Sequence, residues 1–552
     1  MSGGRGIYLA GLSGAGKSTV ASLAARWLGA PAEDVDAEVE RAAARSVAAL
    51  WADGGEAAFR AAERRAVEEI VARPGPAVVA LGGGTLEDPE SRERLARWGE
   101  GVWLDAPAEA LAERIGDRAA ERPLLAGRDP TRMLREMAAA RGPRYAALPH
   151  RVRAWGRPAE AVAAAAVRAV SRATPTDLGD GVRLGRGALA RAGELLADVL
   201  PGFGGGAPPA GAGALPVVTD PRVWTLHGGD LADALSTGGW AASPIAVHEG
   251  EAAKAPDGLL SIWQGIAALG AERGSPLLVL GGGAPGDVGG LAAATFKRGL
   301  ALALFPTTLL AQVDAAIGGK NAIDLGGIKN VVGTFHDPVL IAIDPLCPLT
   351  QADRDWRSGW AEIVKAGLIG DPELFALCER EPSAIGDRRL DVVEEATLRA
   401  ARVKLRIVRE DPREAGPRRA LNLGHTMGHA LEAAADGELT HGEAVAIGLV
   451  AAARLSASLG AAEPGLVERV ESALDALGLP TAPPPLDPAR VLALARQDKK
   501  RHGGAVHAVL PVRPGETTIR SLDDDRLGRW FEESLGTRTA GSSRAVRARR
   551  AR

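Results

Sequence analysis

Cysteine is nearly missing from this chain. Its 552 residues include only Cys347 and Cys378. Two thiols cannot build a disulfide framework, so the fold must rest on apolar cores, and a reducing, cytoplasmic setting is expected. No run of about 18 strongly apolar residues appears, so no membrane span is expected. The N-terminus leads almost directly into a strand and a glycine loop, which leaves no signal-peptide pattern. A formal net charge of −3 excludes a global basic field for nucleic acid. The basic tail SRAVRARRAR (543–552) is isolated and lacks aromatics, so it reads as a disordered end.

Two further scarcities are informative. Lysine occurs nine times against 57 arginines, and asparagine three times. The chain uses Arg and Ala wherever chemistry is indifferent, so the remaining lysines and asparagines should concentrate where a compact ammonium or an amide is needed. None of the lysines lies between Lys17 and Lys254, and most fall in Gly-rich or His-rich motifs. The hydrophobic content of 46% and charged content of 24% fit a globular chain. The length calls for about three or four domains.

Residues 6–10, GIYLA, read as a buried strand. The run Gly11 to Thr19 follows and opens an amphipathic helix. Gly14, Ala15, Gly16, Lys17, Ser18 and Thr19 form the core of a phosphate-binding loop. Its N–H groups and the helix N-terminus cradle phosphates, Lys17 reaches the terminal phosphates, and Ser18 ligates Mg²⁺. Asp34 and Asp36 end the next strand, where they could serve Mg²⁺ and a substrate hydroxyl or simply cap a helix. Gly82, Gly83 and Gly84 end an apolar strand and let backbone approach a ligand closely. Arg122 lies in a Gly-, Asp- and Arg-rich segment that could close as a lid, and Arg141 lies in RGPRY.

Taken in order, the phosphate loop, Asp-x-Asp pair, GEAAFR, GGG, RPLLAG and Arg141-x-x-x-Tyr145 resemble the shikimate kinase family over about residues 5–170. The resemblance implies ATP and Mg²⁺ as cofactors and shikimate as acceptor. It implies shikimate binding by Asp36, Arg60, Gly82, Gly83, Gly84 and Arg141, Asp34 beside Mg²⁺, and Arg122 over ATP. Arginines plus one carboxylate suit a substrate with a carboxylate and three hydroxyls. A gluconate-type kinase is the nearest alternative, and the Asp-x-Asp, GGG and RPLL set argues against it.

The stretch 157–172 reads as a helix closing this first part, and 173–181 as a linker. The run PGFGGGAPPAGAG (201–213) reads as a flexible surface insertion. Strands and helices then alternate to about 345, which implies a mostly parallel sheet. Asp220 ends one strand, Gly250-Glu251-x-x-Lys254 follows another, and LLVLGGGAPGD (277–287) joins a buried strand to a glycine turn and Asp287, a device suited to a dinucleotide pyrophosphate. From about 346 to 537 the chain is expected to turn helical. Glu362 and Lys365 lie three apart among apolar neighbours, and Lys404 lies on a later helix. In RRALNLGHTMGHALEAAADGELTHGE (418–443), His425 and His429 project from one helix face, and His441 follows in a Gly-flanked turn. Imidazoles beside Arg418 and Asn422 point to a metal and an anionic ligand.

GExxK, LGGGxxGD, FKRG, FPTTLLAQVDAAIGGK, KN, SGxAEIVKxG, LNLGHTxGHALE, HGEAV and DKK together resemble the 3-dehydroquinate synthase family over about 360 residues. The implied fold is a Rossmann-like α/β domain followed by a C-terminal helical domain. Glu362, His425 and His441 would hold Zn²⁺ or Co²⁺. Asp220, Glu251, Lys254, Gly283, Asp287, Thr307, Thr308, Asp314, Lys320 and Lys329 would serve NAD, with Asp220 standing where asparagine is usual. Lys320, Lys365, Lys404, Arg298, Asn330, Arg418, Asn422, His429, Lys499 and Lys500 would grip 3-deoxy-arabino-heptulosonate 7-phosphate (DAHP). The implied chemistry is transient oxidation by NAD, phosphate elimination, return of the hydride, and intramolecular aldol closure to 3-dehydroquinate. Lys365, Lys404 and His429 would be catalytic in this half, with His429 handling protons or serving as a third histidine ligand; Lys17 and Asp36 would be catalytic in the other.

The expected organisation is therefore a kinase at 1–172, a linker at 173–181, an α/β domain at 182–345, a helical domain at 346–537 and a tail at 538–552. Two alternatives stay open for the second half: another sugar-phosphate cyclase, or a non-catalytic NAD- and metal-binding regulator. A homodimer through the synthase half is expected, with small-molecule partners and neither nucleic acid nor membrane.

Overall fold

The computed structural model describes residues 6–116, 119, 125, 127–171, 173–200, 214–414, 416–497, 501–502 and 505–536. Arg122, Lys499, Lys500, the run 201–213 and the tail lie outside these residues. The chain divides into two compact units. One comprises Met1–Thr307, Gly319–Gln351 and Asp387–Glu394; the other comprises Thr308–Gly318, Ala352–Gly386 and Glu395–Arg552.

The first unit holds two α/β layers. Five parallel strands run in the order Ala32–Asp34, Val78–Ala80, Gly6–Ala10, Gly99–Asp105, His150–Arg153. Gly6–Ala10 is buried at every position, as a central parallel strand must be when helices cover both faces. Its end leads through Gly14 and Gly16, both at positive φ, into the helix Lys17–Leu28.

A second sheet of seven strands runs in the order Thr176–Gly179, Val182–Leu184, Leu340–Ile343, Ala301–Pro306, Pro276–Gly281, Leu215–Thr219, Ala242–Ala246. All its pairings are parallel except the first. The segment 173–181 is thus not a simple linker: Thr176–Gly179 pairs as an edge strand with Val182–Leu184, because the Asp180-Gly181 turn, with both residues at positive φ, folds the chain back. The core here is apolar and leucine-rich, built from Leu195, Leu196, Leu231, Leu235, Leu278, Leu280 and Phe305. Gly283 opens the helix Gly283–Thr295, so the glycines after Pro276–Gly281 form a strand-to-helix entry rather than a free turn.

The second unit is mainly helical, around Asp353–Gly370, His425–Ala434 and His441–Ser458. It also contains an antiparallel sheet of Arg501–His502, Ala505–Arg513 and Glu516–Leu522, where helix was expected throughout. Val506, Ala508 and Leu510 enter the core with Met427, Leu431, Trp530 and Phe531. Pro511 obscured this strand in the sequence, since proline argues against a strand interior; here it sits beside a register shift in the pairing with Glu516–Leu522. No described helix is long and apolar enough to cross a membrane.

Candidate active sites

The phosphate loop is built largely from backbone. Lys17 Nζ donates to the carbonyls of Gly11 and Leu12 at 2.9 and 3.1 Å, which pins the ammonium over the loop. Ser18 Oγ donates to Asp34 Oδ2 at 2.6 Å. Asp34 Oδ1 accepts from the N–H groups of Asp36 and Ala37, so Asp34 is also the helix cap that local sequence allowed. A cavity of about 350 Å³ is lined by Lys17, Ser18, Asp34, Asp36, Gly83 and Arg114. Asp36 reaches the water of this cavity but is crowded by protein. That crowding, then the carboxylates of Asp34 and Glu63, raises its carboxyl to about 6, with Lys17 opposing.

Beside it, Gly82 has no room for a β-carbon against Glu63 and Asp36, and Gly84 none against Arg60. Arg60 Nη1 pairs with Glu63 at 2.6 Å, and Thr85 Oγ1 donates to Glu63 at 2.6 Å. Arg141 and the Tyr145 hydroxyl both donate to the Gly83 carbonyl, at 2.9 and 2.6 Å. Asp36, Arg60, the three glycines and Arg141 therefore come together. Glu63, 2% exposed, is the residue that sequence reasoning missed. Its signal was a carboxylate three residues after Arg60 on one helix face.

In the seven-stranded layer, Lys254 Nζ, 8% exposed at its side chain, bonds Asp287 at 2.7 Å and Asn330 Oδ1 at 3.0 Å, and lies 3.6 Å from Glu251. Lys329 approaches Glu251 at 3.9 Å. Burial pushes the Asp287 carboxyl up, and Lys254 opposes it. Asn330 thus joins the residues expected at the nucleotide rather than those expected at the substrate. Asn330 and Arg298 are non-glycine residues held at left-handed φ, 54° and 66°, a strain that clusters at functional positions. Asp220 caps the following helical turn through Val223 N. Thr307 is buried at the end of Ala301–Pro306, and Lys320 begins the hairpin strand Lys320–Leu325.

The second unit gathers its charges more tightly. Glu362, His425 and His441 each offer a ligand atom within 4.8 Å of the others. His441 Nε2 is 3.3 Å and His425 Nε2 3.5 Å from Glu362 Oε1. The opposite ring nitrogens are tied down: His425 Nδ1 to the Leu423 carbonyl and His441 Nδ1 to Glu432 Oε2, both at 3.0 Å. Both Nε2 atoms are thereby aimed at one point, the outer hydrogen bonding that metal-binding histidines require.

Local sequence explains the placement. Both histidines are first residues of helices, His425 after Gly424 at φ 78° and His441 after Thr440, whose capping box with Glu443 fixes the entry. His441 therefore starts a helix where a Gly-flanked turn was expected. A β-carbon on Gly448 would overlap the Gly424 carbonyl, and one on Gly442 would overlap Ser358, so glycines let three helices approach closely enough to bring Glu362 and the histidines together. Glu432, a missed partner, lies nine residues before His441 and carries no local signature.

Lys365 pairs with Glu362 and lies 3.6 Å from Asp314, which also pairs with Lys404. Asp314, expected at the nucleotide, sits instead between these two lysines. Burial opposes the charge on Glu362, but Lys365 and then His441 outweigh it and bring the carboxyl to about 2. Burial likewise opposes charge on His441, yet Glu362 and Glu432 raise it to about 9. Lys404 is lowered by burial against Asp314. His429 is exposed and outside the three-ligand set, with its ring centre 5.0 Å from that of His425. Arg418, 2% exposed, donates to the carbonyls of Pro412 and Gly318, and Asn422 donates to Glu414. A carboxylate oxygen and two oriented imidazoles fit Zn²⁺ or Co²⁺.

Fold and sites define a phosphate-loop kinase domain joined to a nucleotide-type α/β domain and a helical unit with a candidate metal centre. Family models agree: shikimate kinase matches residues 13–171, 3-dehydroquinate synthase N-terminal matches 244–358, and 3-dehydroquinate synthase C-terminal matches 359–501. A 3-dehydroquinate synthase of Caulobacter vibrioides is 40% identical over 365 residues, covering 64% of this chain and 96% of that protein. One from Dehalococcoides mccartyi is 40% identical over 303 residues, covering 55% and 84%. Among solved structures, a 2-epi-5-epi-valiolone synthase of Streptomyces hygroscopicus, with NAD⁺ and Zn²⁺ bound, superposes with a TM-score of 0.59 at 28% identity, covering 67% of this chain and all of that one. The chain belongs to the 3-dehydroquinate synthase family and carries a shikimate kinase domain ahead of it, which makes it a two-part enzyme.

Proposed function

We propose that the first part transfers the terminal phosphate of ATP, with Mg²⁺, to the 3-hydroxyl of shikimate. The second part converts DAHP to 3-dehydroquinate and phosphate with NAD and Zn²⁺ or Co²⁺. The observation that carries the second assignment is the convergence of Glu362, His425 and His441, with both histidine Nδ1 atoms engaged behind it.

In the kinase, Lys17 and the loop N–H groups hold phosphate oxygens, and Ser18 with Asp34 holds the cation side. A carboxyl that ionises near 6 suits Asp36 to accept the hydroxyl proton at neutral pH. Arg60, fixed by Glu63, and Arg141, fixed by the Gly83 carbonyl, orient toward a carboxylate. Arg122 covers the nucleotide.

In the synthase, the bound metal supplies Lewis-acid polarisation of alcohol and ketone oxygens, and NAD supplies a reversible hydride acceptor. Glu251, Lys254, Asp287 and Lys329 engage the dinucleotide, with Asp220, Gly283, Thr307, Thr308 and Lys320 lining its path. Lys365 and Lys404 offer cationic charge to an anionic sugar acid, and His429 takes and returns protons at its imidazole. Asp314 holds the two lysines in place. Asn330 supports the dinucleotide contacts through Lys254, and Arg298, Arg418, Asn422, Lys499 and Lys500 serve the substrate, Arg418 by bracing the Gly318 turn.

We also propose a homodimer through the synthase half. Leu325, Ile328, Val332 and Phe335 on the hairpin Lys320–Phe335 are each 41–55% exposed, apolar surface on both faces of the hairpin that a second copy would cover. A reducing, cytoplasmic compartment fits two buried free thiols. Purified chain should release phosphate from DAHP only when NAD⁺ and Zn²⁺ or Co²⁺ are both supplied, and form ADP from ATP only with shikimate. Phosphate release from sugar phosphates lacking the carboxylate, at a rate equal to that from DAHP, would move the second assignment to a different cyclase.

A further inference from the structure

The helix Ala159–Val170 ends the kinase match, yet it is buried on all sides: every residue from Ala161 to Arg168 is buried. A helix covered all round has neighbours on both faces. One neighbour is the phosphate-loop helix Lys17–Leu28; another is the turn Pro348–Thr350 of the synthase part. Arg168, 2% exposed at its side chain, reaches across. Its Nε bonds Asp344 Oδ2 at 2.8 Å, its Nη1 pairs with Asp230, and its Nη2 lies 3.6 Å from Cys347 Sγ. Arg157, just before the helix, bonds Asp230 Oδ1 at 2.8 Å and the Leu226 carbonyl at 2.6 Å. Asp344, 1% exposed, also accepts the N–H groups of Leu189 and Leu346, so it belongs to the core of the seven-stranded layer. Away from this helix, a β-carbon on Gly29, at the end of the phosphate-loop helix, would overlap the guanidinium of Arg389 from the synthase part.

Two arginines from the kinase thus neutralise two aspartates of the synthase inside one largely buried cluster. Charges buried this deeply are tolerated only with their partners present, and removing one partner strands the other. We infer that Ala159–Val170 is a shared element, closing the kinase sheet while serving as a built-in structural partner on which the α/β layer of the synthase depends. This inference concerns folding and does not rest on either proposed activity. It does not require catalytic communication, because the cluster touches none of the proposed catalytic residues.

Hydrogen–deuterium exchange on the full chain tests it. Arg168→Met should raise exchange at least about tenfold in Gly229–Ser236 and Leu340–Ile343, which lie outside the kinase match. Arg168→Lys keeps one charge but cannot serve Asp344, Asp230 and Cys347 together; it should give a smaller increase at the same peptides, and it serves if the methionine variant is insoluble. Adding Asp230→Asn and Asp344→Asn to Arg168→Met should restore part of the protection. Arg97→Met, which removes a surface pair with Glu93, should change nothing there. In the reverse direction, Asp230→Asn should loosen Lys17–Leu28. Faster exchange confined to the kinase peptides in the Arg168 variants, with Gly229–Ser236 and Leu340–Ile343 unchanged, would overturn the inference.

Discussion

The two catalytic regions solve the problem of holding an anionic substrate in opposite ways. At the phosphate loop the cradle is backbone: glycines at positive φ, carbonyls that hold Lys17, and an open cavity of about 350 Å³. In the helical unit the site is made of side chains, with Glu362, Lys365, Asp314 and Lys404 buried against one another. A backbone cradle buries no charge of its own, because the N–H groups opening the helix Lys17–Leu28 stay available to water until a phosphate takes them. A buried side-chain cluster is stable only while every charge keeps its partner. Mutations at the first region should therefore cost activity with little stability, and mutations at the second should cost both.

The largest expected effect breaks the comparison chemically. Treatment with 1,10-phenanthroline, which strips Zn²⁺ or Co²⁺ and leaves Mg²⁺, should abolish phosphate release from DAHP and leave ADP formation within experimental scatter. Next in size, Lys365→Met leaves Glu362 and Asp314 short of a buried partner. It should lower stability by about 3–5 kcal/mol in denaturant unfolding of the helical unit. Lys17→Met at the other region should change stability by less than about 1 kcal/mol, measured the same way.

Smaller effects sharpen the contrast. Glu432→Ala frees His441 Nδ1 from its acceptor without removing a ligand, and should weaken metal affinity about 10- to 100-fold in a competition titration, with kinase turnover unaltered. Asp36 gives a pH signature. Its carboxyl ionises near 6, above the ordinary 3.8, so the free-enzyme kinase kcat/KM should rise as pH climbs through about 6. The same shift has a stability sign. The folded state holds the proton more tightly than the unfolded state, so stability falls as pH rises between about 4 and 6; Asp36→Asn should remove that slope. Smallest of all, Asp220→Asn keeps the cap on Val223 N and should change the half-saturating NAD concentration only a few-fold, with melting temperature unmoved.

The same contrast decides what could be read from the sequence. A backbone cradle is contiguous, so the strand, glycines, Lys17 and Ser18 announce themselves within one short run. The parallel-sheet layers and the pairing of Glu362 with Lys365 were legible for the same reason: each is a local period. The histidines were found through their clustering, and the lysines through their rarity. What stayed hidden is held together across long separations. Glu432 reveals itself only once two helices cross through Gly448. Arg168 meets Asp344 176 residues away, and nothing near either residue signals the other. The small sheet around Ala505–Arg513 was lost behind Pro511, and the edge strand Thr176–Gly179 behind a turn-rich composition that reads as linker.

The most direct measurement is a paired assay on three full-length proteins: unmodified, Lys17→Ala and His425→Ala. ADP formation with shikimate and phosphate release from DAHP would be followed side by side, with NAD⁺, Zn²⁺ and Mg²⁺ present throughout. The account predicts that Lys17→Ala loses only the first activity and His425→Ala only the second, each by a factor of about a thousand or more. Loss of both activities in both variants, or survival of phosphate release in His425→Ala, would contradict it.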